Sequence, residues 1–305
     1  MLSRIMIVGT GNVGASIAYA MLNQQTDVNE LILVDLDTAD AEGEVMDLCD
    51  AVAVAPNFIK IRTGEFADAK DCDIVILAAG AAQKTGETRL DLLAKNAKIF
   101  KSISEKIMAS GFDGIIIVVS NPLDVLTYLT WHYTGLPAER VIGSGTVLDS
   151  ARLRFRIAER LSLSPRSVHA YQIGEHGDTE FTLWSTADAG GQLISELISQ
   201  KDRQEIEHQT RNRAYEIIDR KGSTHYGIGA CITGIVNCIL EDEHRILPVS
   251  NYDYSSGIFN SFPAVLSRQG ILRRIDLKLS ESEAYKLQAS TNLIKASIGE
   301  ALRFS

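Results

Sequence analysis

His176 is placed to exchange a proton. It occurs in the run Gly174-Glu175-His176-Gly177-Asp178. Imidazole is the side chain best matched to proton transfer near neutral pH, because its unperturbed pKa is about 6.5. The glycines around it predict a tight backbone that holds the ring in a confined place. The sequence therefore predicts a general acid or base at His176.

An aspartate and an arginine, Asp149 and Arg152, stand at the start of a predicted helix at residues 150–161. Asp149 is placed to cap the N-terminus of this helix, and Arg152 lies about one turn further along the same face. Taken alone, these residues and His176 are better explained as a helix cap, a surface arginine and a structural histidine. A catalytic interpretation requires a fold that brings a reactive cofactor beside them.

A glycine-rich run at residues 9–14 (GTGNVG) follows a short apolar segment and opens a predicted helix. Glycines there let the chain turn sharply and let a pyrophosphate group approach the backbone, where the helix N-terminus stabilises negative charge. Asp35 ends the next predicted strand about 20 residues further on, where a carboxylate accepts hydrogen bonds from the adenosine ribose hydroxyls. That carboxylate would repel a 2′-phosphate, so the pattern predicts NAD rather than NADP. The alternative is a glycine turn and a surface aspartate that bind no ligand.

Short apolar segments alternate with helical patterns through the first half of the chain. Each segment is apolar at every position rather than at every second one, which is typical of parallel strands covered on both faces. The succession predicts a doubly wound, Rossmann-type α/β domain over residues 1–143 that binds NAD. The predicted strands are 5–8, 31–34, 59–62, 74–79 and 115–119, and the predicted helices are 13–23, 39–51, 88–110 and 123–133.

The second half is less regular and predicts an α+β substrate domain over residues 144–305. No Pro- or Ser-rich linker separates the two halves, so we expect them to pack closely around a cleft. Helices are predicted at 150–161, 203–220, 227–240 and 281–302, an alternating segment at 168–173, and strands of a mixed sheet at 246–250 and 262–275.

Composition excludes several other classes of protein. The 305 residues are 45% hydrophobic, enough for a sizeable core, and their net charge of −9 would be repelled by a nucleic-acid backbone. No apolar stretch approaches the roughly 20 residues that span a bilayer. Four cysteines are too few for a disulfide scaffold, which favours a cytosolic protein. The histidines other than His169 and His176 lack metal-ligand spacing, so no metal site is predicted.

In order along the chain, the motifs resemble those of the lactate/malate dehydrogenase family, and most closely those of its bacterial lactate-specific branch. The resemblance covers nearly the whole chain and implies an oxidoreductase that interconverts (S)-lactate and pyruvate with NAD. It rests on residues 9–14 with Asp35, 86–90 (GETRL), 120–122 (SNP), 148–152 (LDSAR), 174–178 (GEHGD) and 262–265 (FPAV).

The resemblance also implies a role for each catalytic residue. His176 takes the hydroxyl proton and returns it in the reverse reaction, while Asp149 holds the imidazole in one tautomer and stabilises its protonated form. Arg152 clamps the substrate carboxylate with two parallel hydrogen bonds. Asn121 hydrogen-bonds the substrate oxygen, and the peptide bond to the following proline is expected to be cis. Arg89, on a closing loop, polarises the carbonyl and excludes water.

The implied cofactor site combines the glycine loop with residues from both halves of the chain. Ile228 is expected to back the nicotinamide with an apolar face. The residues assigned to NAD are Gly9, Gly11, Asn12, Val13, Gly14, Asp35, Gly80, Ala81, Val119, Asn121 and Ile228.

Substrate selectivity is predicted from Gln83, which stands where malate-selective relatives carry arginine. A second substrate carboxylate under a closed loop would need a cationic partner, whereas a neutral amide suits the pyruvate methyl group. Lys84 is expected to stay solvated rather than to supply that charge, and Thr224 matches a small residue of the substrate wall. Lactate is therefore predicted. The alternative is a larger 2-hydroxy acid of the 2-hydroxyisocaproate type or, less favourably, malate.

Two further predictions concern regulation and assembly. Arg154 and His169 match positions where allosteric relatives bind fructose 1,6-bisphosphate at a subunit interface; the alternative is that both are ordinary interface or surface groups. Family precedent suggests a homotetramer.

Two other classes of protein are weighed against the dehydrogenase. An NAD-dependent glycosidase would need a metal-binding Cys/His pair, and a non-catalytic NAD-binding protein would lack some of the catalytic side chains.

Overall fold

The computed structural model describes residues 3–81 and 89–304, without the side chain of Arg89. The first half alternates strands and helices, as predicted. The strands are β1 (Ser3–Val8), β2 (Val28–Val34), β3 (Lys60–Thr63), β4 (Ile74–Leu77), β5 (Ile115–Val118) and β6 (Val141–Gly143), and the helices are α1 (Asn12–Asn23), α2 (Thr38–Val52), α3 (Arg89–Ala109) and α4 (Leu123–Thr134).

Strands β1 to β6 are all parallel and lie in the order β6-β5-β4-β1-β2-β3. This is the strand order of the dinucleotide-binding fold, which confirms the predicted Rossmann-type sheet. The order reverses between β1 and β4, and ligands of such sheets bind outside the carboxyl ends of the strands at that point.

The strands are apolar because both faces of the sheet are covered. In β4 (IVIL) and β5 (IIIV) every residue is buried. Alternate residues of β1 enter two different cores, because successive side chains of a strand point to opposite faces. Ile5 and Ile7 pack on the side of α1 and α2, while Met6 and Val8 pack on the side of α3 and α4.

Helices of the second half complete both of these layers. Helix α8 joins the core on the α1 side, and α9 joins the core on the side of α3 and α4. In the described ranges, no helix is both long and apolar enough to cross a bilayer. The second-half helices are α5 (Val147–Leu161), α6 (Ile194–Leu197), α7 (Gln200–Lys221), α8 (Tyr226–Leu240) and α9 (Glu281–Ala301).

The strands of the second half belong to four sheets. The predicted segment 168–173 divides into β7 and β8, which pair with different partners: β7 with β10 and β11, and β8 with β9. The predicted strand 262–275 is a hairpin of β15 and β16, which pairs with β12. Its turn is formed by Arg268 and Gln269, and Gly270 (φ +99°) begins β16. The strands are β7 (Val168–His169), β8 (Gln172–Ile173), β9 (Phe181–Thr182), β10 (Asp188–Ala189), β11 (Gln192–Leu193), β12 (Ile246–Leu247), β13 (Ser250–Asp253), β14 (Ile258–Ser261), β15 (Ala264–Ser267) and β16 (Gly270–Arg274).

Two of these strands, β13 and β14, extend the main sheet to eight strands. They are antiparallel to each other, and Ser250 of β13 lies opposite Gly143 of β6. Their sequences, SNYD and IFNS, contain polar residues, so a search for apolar segments does not predict them as buried strands. Asn251 and Asn260 are buried because their side-chain oxygens accept hydrogen bonds from the Arg274 guanidinium at 2.9 Å. The main sheet thus takes strands from both sides of residue 143, and the domain boundary there stays a prediction.

Two glycines fix α8 between the cofactor and substrate parts of the molecule. A Cβ on Gly229 would lie 2.6 Å from the carbonyl oxygen of Ser16 in α1, and one on Gly227 would lie 2.8 Å from Cδ1 of Leu148 in α5. The contact at Gly229 is with backbone and excludes a larger residue, whereas at Gly227 the end of the Leu148 side chain would have to move. The N-terminal turn of α8 is therefore held against α1 and α5 at once.

Candidate active site

The side chains of Asp149, Arg152 and His176 meet in one hydrogen-bonded group. Asp149 accepts from His176 Nδ1 through Oδ2 and from Arg152 Nη1 through Oδ1, both at 2.9 Å. Asp149 and Arg152 lie one turn apart on α5. The prediction that Asp149 caps this helix is wrong: the N-cap residue is Thr146, and Asp149 lies in the first turn with its carboxylate directed at the two nitrogen donors.

Burial and charge act in opposite directions on this group. Burial alone would lower the pKa of His176, but the negative charge of Asp149 and the hydrogen bond to it raise that pKa to about 9. Burial would likewise raise the pKa of Asp149, and the charges of His176 and Arg152 hold it below its ordinary value instead. The Asp149 side chain is 6% exposed and that of His176 is 28% exposed. The protonated imidazole is thus stabilised while the ring stays accessible.

The loop that carries His176 is anchored to two distant elements before the histidine is reached. Gly174 exchanges backbone hydrogen bonds with Ser261 of β14, at 2.9 and 2.8 Å. The next residue, Glu175, donates its backbone N–H to Oγ of Ser290 in α9 at 2.6 Å. Gly174 has φ +99°, and a Cβ there would lie 2.8 Å from that same Oγ atom, so only glycine fits. The glycine therefore has the tight backbone role that the sequence predicted.

A third anchor acts on His176 itself. Its backbone N–H donates to Oδ2 of Asp124 in α4 at 2.7 Å, and Oδ1 of Asp124 accepts from the Ser250 hydroxyl at 2.5 Å. Burial raises the pKa of Asp124 to about 6, although both hydrogen bonds oppose this. Sequence reasoning missed Asp124 and Ser250. An aspartate in an otherwise apolar first turn, just after the Ser-Asn-Pro motif, is the signal that could have indicated the first of them.

Asn121 lies at the carboxyl end of β5, at the surface, and is joined to the next residue by the predicted cis bond. A second asparagine that the sequence did not single out, Asn96 of α3, positions it. Asn96 is buried, its Nδ2 donates to the backbone oxygen of Asn121 at 2.9 Å, and its Oδ1 accepts from the Ala81 N–H at 2.9 Å. The loops after β4 and β5 are thereby tied together.

The glycine loop after β1 forms an open cradle at the N-terminus of α1. A Cβ on Gly14 would lie 1.9 Å from the carbonyl oxygen of Gly9, and one on Gly9 would lie 2.5 Å from the Ala79 nitrogen. The space beside Gly11, the N-cap residue, is open, and no side chain of the described residues caps the helix. Close packing on one side and open space on the other fit a pyrophosphate bound at the helix N-terminus.

Asp35 lies directly after β2, beside the same loop. Its Oδ2 accepts from the backbone N–H and the hydroxyl of Thr10, at 2.7 and 3.1 Å, and its Oδ1 accepts from the Asp37 N–H at 3.1 Å. Burial would raise the pKa of Asp35, but these hydrogen bonds hold it below its ordinary value. An ionised carboxylate fixed at this edge fits a ribose diol and disfavours a 2′-phosphate.

The apolar residues assigned to NAD, among them Ile228, which is predicted to back the nicotinamide, lie on the same side of the sheet. Val13, Val119 and Ile228 are partly exposed and all pack against the core on the α1 side. Gly80 is exposed and Ala81 is half-buried at the end of β4. Thr224 is half-buried in the turn before α8. Two predicted substrate contacts, Gln83 and the side chain of Arg89, lie outside the described residues.

The two predicted regulatory residues lie on neighbouring elements. Arg154 is half-buried on α5, and His169 is exposed on β7, which packs against α5. Arg154 follows Arg152 but is turned away from it around the helix, as the spacing predicted. Their role in binding a bisphosphate stays a prediction.

Comparisons with known proteins agree with this geometry. A family model for the lactate/malate dehydrogenase NAD binding domain matches residues 3–143, and one for the alpha/beta C-terminal domain of the same family matches residues 146–305. L-lactate dehydrogenase 2 of Bacillus cereus and that of Bacillus anthracis are each 46% identical over 311 residues, covering 99% of both chains. The minor L-lactate dehydrogenase of Enterococcus mundtii, in its ligands-bound form, is 45% identical with a TM-score of 0.94 over 98% of each chain. A lactate dehydrogenase from a Medee basin deep-sea metagenome library is 44% identical with a TM-score of 0.96, over 98% of this chain and 99% of that one.

The chain belongs to the lactate/malate dehydrogenase family, as its motifs predicted. It is an NAD-dependent hydroxyacid dehydrogenase, and NAD is its cofactor. The cradle at Gly9, Gly11 and Gly14 with Asp35 fits that cofactor on structural grounds alone.

Proposed function

We propose that this enzyme interconverts (S)-lactate and pyruvate, with His176 as the general acid and base. The observation that carries the proposal is the single carboxylate of Asp149, which is bonded at once to the His176 ring and to the Arg152 guanidinium. One buried anion thus places a proton carrier and a carboxylate-binding cation side by side. The names of the relatives point to the same substrate.

His176 transfers the proton through its outer nitrogen. The ionised carboxylate of Asp149 only accepts hydrogen bonds, so Nδ1 carries a hydrogen and Nε2 is the atom that exchanges a proton with the substrate oxygen. Bound NAD supplies the hydride acceptor for the oxidation of the alcohol carbon. In that direction the hydroxyl proton goes to Nε2 and the carbonyl double bond forms. In reduction the protonated ring returns it.

Arg152 orients the acid end of the substrate. Only Nη1 of its guanidinium is bonded to Asp149, which leaves other N–H groups for a bidentate contact with a carboxylate. The side chain is 13% exposed, so this contact forms in a largely desolvated place. Asn121, whose backbone oxygen accepts a hydrogen bond from Asn96, is proposed to donate to the substrate oxygen. The sequence adds Arg89 as a polarising group on the closing loop.

A neutral substrate side chain is proposed because of Gln83. An amide there supplies no charge for a second carboxylate, which favours pyruvate over oxaloacetate. The alternative is a larger 2-keto acid of the 2-ketoisocaproate type. Thr224 limits the size of the substrate side chain, and turnover of keto acids of increasing size measures that limit.

A substrate panel with NADH tests the proposal. We expect kcat/KM to be highest for pyruvate among pyruvate, 2-ketobutyrate, 2-ketoisocaproate and oxaloacetate. His176→Gln is expected to lower kcat/KM for the best substrate by roughly 10²–10⁴-fold, the usual contribution of a general acid or base. A preference for oxaloacetate would contradict the argument from Gln83, and undiminished turnover by the variant would contradict the role of His176.

We further propose that the enzyme is a homotetramer. One surface feature supports self-association. The ring of Phe155, in the groove between α5 and α7, is 53% exposed, and an aromatic ring open to solvent favours contact with a partner surface. Sedimentation velocity at several concentrations measures the assembly, and a monomer at all of them would contradict it.

Regulation by fructose 1,6-bisphosphate is proposed on the sequence match of Arg154 and His169. An arginine and a histidine on adjacent elements offer N–H donors that suit a phosphate group. The sugar bisphosphate is expected to lower the KM for pyruvate in the unmodified enzyme and to have no effect in Arg154→Gln. Unchanged kinetics together with no binding heat in calorimetry would contradict this. The cytosolic location inferred from the cysteine count stays a prediction.

A further inference from the structure

Glu180 is a buried carboxyl group that the proposed reaction does not use. It lies between the His176 loop and β9 and is only 5% exposed. One of its carboxylate oxygens, one carboxylate oxygen of Asp149 and one ring nitrogen of His176 all lie within 4.8 Å of one another. Two carboxyl groups therefore face one imidazole ring.

Charged groups from three elements surround Glu180. Asp149 and Arg152 face it from α5, His176 from its own loop, and Arg211 from α7. Arg211 also donates through Nη2 to the backbone oxygen of Glu180 at 3.4 Å, which ties this residue to α7. The Glu180 carboxyl group thus lies near one anion, Asp149, and near three groups that carry or acquire a positive charge: Arg152, Arg211 and His176.

The other titratable groups near His176 and Asp149 are committed elsewhere or stay neutral. Asp124 of α4 accepts the His176 backbone N–H and the Ser250 hydroxyl. The Glu175 carboxylate accepts a short hydrogen bond from the Thr179 hydroxyl. Burial raises the pKa of the Cys231 thiol of α8 to about 11. Asp124, with a pKa of about 6, is ionised before the pH becomes alkaline. Among these described residues, Glu180 is consequently the carboxyl group whose ionisation adds charge beside the ring at higher pH.

Opposing influences decide when Glu180 ionises. Burial and the charge of Asp149 raise the pKa of Glu180 well above its ordinary value, so Glu180 keeps its proton where an exposed glutamate would have lost it. Protonated His176 and the two arginines favour the ionised form. As the pH rises, Glu180 and His176 compete for one proton, and an ionised carboxyl beside a protonated ring is the arrangement that the arginines support.

We propose that Glu180 is a second carboxyl partner of His176, a positioning residue whose ionisation keeps the proton on the ring at alkaline pH and so extends upward the pH range in which the enzyme reduces its keto acid. The inference rests on the proposed role of His176. It assigns to Asp149 the orientation of the ring and to Glu180 an additional charge that appears only when the pH rises.

The same three side chains also have a spacing suited to a metal ion, but their partners favour proton sharing. Both oxygens of Asp149 are already bonded, one to Arg152 and one to His176. A cation would have to displace one of these contacts and would lie beside a guanidinium group. Proton exchange between Glu180 and His176 needs no such rearrangement.

Histidine titration by NMR tests the proposal without substrate or cofactor. The protein has six histidines, and the His176 signal is the one that disappears in His176→Gln. Glu180→Gln is expected to lower the titration midpoint of His176 by about half a pH unit or more, because a unit charge about 5 Å away contributes that much even at a water-like dielectric constant. An unchanged midpoint would overturn the proposal.

Two further variants separate charge from packing. Glu180→Met is neutral and of similar length, and it is expected to lower the titration midpoint of His176 as Glu180→Gln does. A shift in the methionine variant alone would mean that altered packing is the cause and would overturn the proposal. If the glutamine variant does not fold, the methionine variant is measured against Glu205→Gln, which removes one carboxylate from the exposed face of α7. The Glu205 variant is expected to leave the midpoint unchanged, and an equal shift there would overturn the proposal too.

The kinetic prediction follows the same direction. The alkaline limb of the pH profile of kcat/KM for pyruvate is expected to move to lower pH in Glu180→Gln, with the neutral-pH plateau retained. A lower plateau with an unmoved limb would overturn the proposal. If the unmodified enzyme does not reduce pyruvate, the proposed function fails, while the NMR titration still decides the role of Glu180.

Discussion

Replacing Asp149 with asparagine removes the charge that keeps His176 protonated. The pKa of His176 is raised from 6.5 to about 9 in the structure, and this is equivalent to roughly 3 kcal/mol of stabilisation of the protonated ring. Asparagine keeps the size but offers one acceptor where two donors, His176 Nδ1 and Arg152 Nη1, now bind. With the charge gone, we expect the pKa of His176 to fall from about 9 toward its ordinary value of 6.5, while Glu180 and Asp124 retain part of the shift.

Reduction of pyruvate requires the protonated ring, so the loss depends on pH in a defined way. In the unmodified enzyme kcat/KM for pyruvate is expected to stay level through neutral pH and fall above about pH 9. In Asp149→Asn the fall begins at lower pH, at about 6.5 if the whole shift is lost, so that at pH 7.5 the smaller protonated fraction costs up to about tenfold. Lost orientation of the ring adds to this at every pH.

Steady-state kinetics of NADH oxidation across this pH range measure both effects. If kcat/KM of Asp149→Asn partly recovers as the pH falls through 6.5, the loss at higher pH is due to the missing charge of the Asp149 carboxylate. Asp113→Asn, an exposed aspartate paired with Arg140 on the surface, serves as the control and is expected to leave the profile unchanged. An alkaline limb that stays near pH 9 in the Asp149 variant would refute the reasoning.

Two other substitutions test the supports of the site. Asp124→Ala removes the acceptor of the His176 backbone N–H, and we expect kcat/KM for pyruvate to fall by about tenfold or more while NADH affinity is retained. Asp124→Asn can accept from that N–H and donate to Ser250, so it is expected to recover most of the loss. Equal damage by both variants would contradict the anchoring role. Gly14→Ala would place a Cβ 1.9 Å from a backbone oxygen. We therefore expect the Kd for NADH, measured by fluorescence, to rise at least about tenfold, and the melting temperature to fall because the free energy of unfolding decreases by about 1–3 kcal/mol. Unchanged affinity would contradict the role of the glycine loop as the pyrophosphate cradle.

Much of this architecture could be predicted from apolar patterns. Strands such as β4 and β5 are apolar at every position because both faces are buried, and short segments of this kind are typical of parallel sheets. The glycine loop and Asp35 were likewise recognisable, because a phosphate at a helix N-terminus demands small residues in a fixed order. The hydrogen bond between Asp149 and His176 agrees with the orienting role that the family resemblance implied, whereas the bond between Asp149 and Arg152 was not predicted.

What the sequence did not reveal depends on polar residues that are satisfied only by distant partners. Asn96, Asp124 and Ser290 are ordinary polar residues within their helices, and nothing local indicates that their partners lie in other parts of the chain. For the same reason β13 and β14 are absent from the apolar pattern: the side-chain oxygens of their buried asparagines accept hydrogen bonds from Arg274, which is distant in the sequence. Glu180 was missed because its significance comes from a neighbour, Asp149, that the fold alone brings near.

Two helices from the later part of the chain, α8 and α9, cover opposite sides of a sheet whose first six strands come from the earlier part. During synthesis each face of the sheet is therefore only partly covered, by α1 and α2 on one side and by α3 and α4 on the other, until α8 and α9 have been made. An amino-terminal fragment ending at residue 143 would leave exposed the apolar surface that α8 and α9 bury, and it is expected to aggregate more readily than the 305-residue chain.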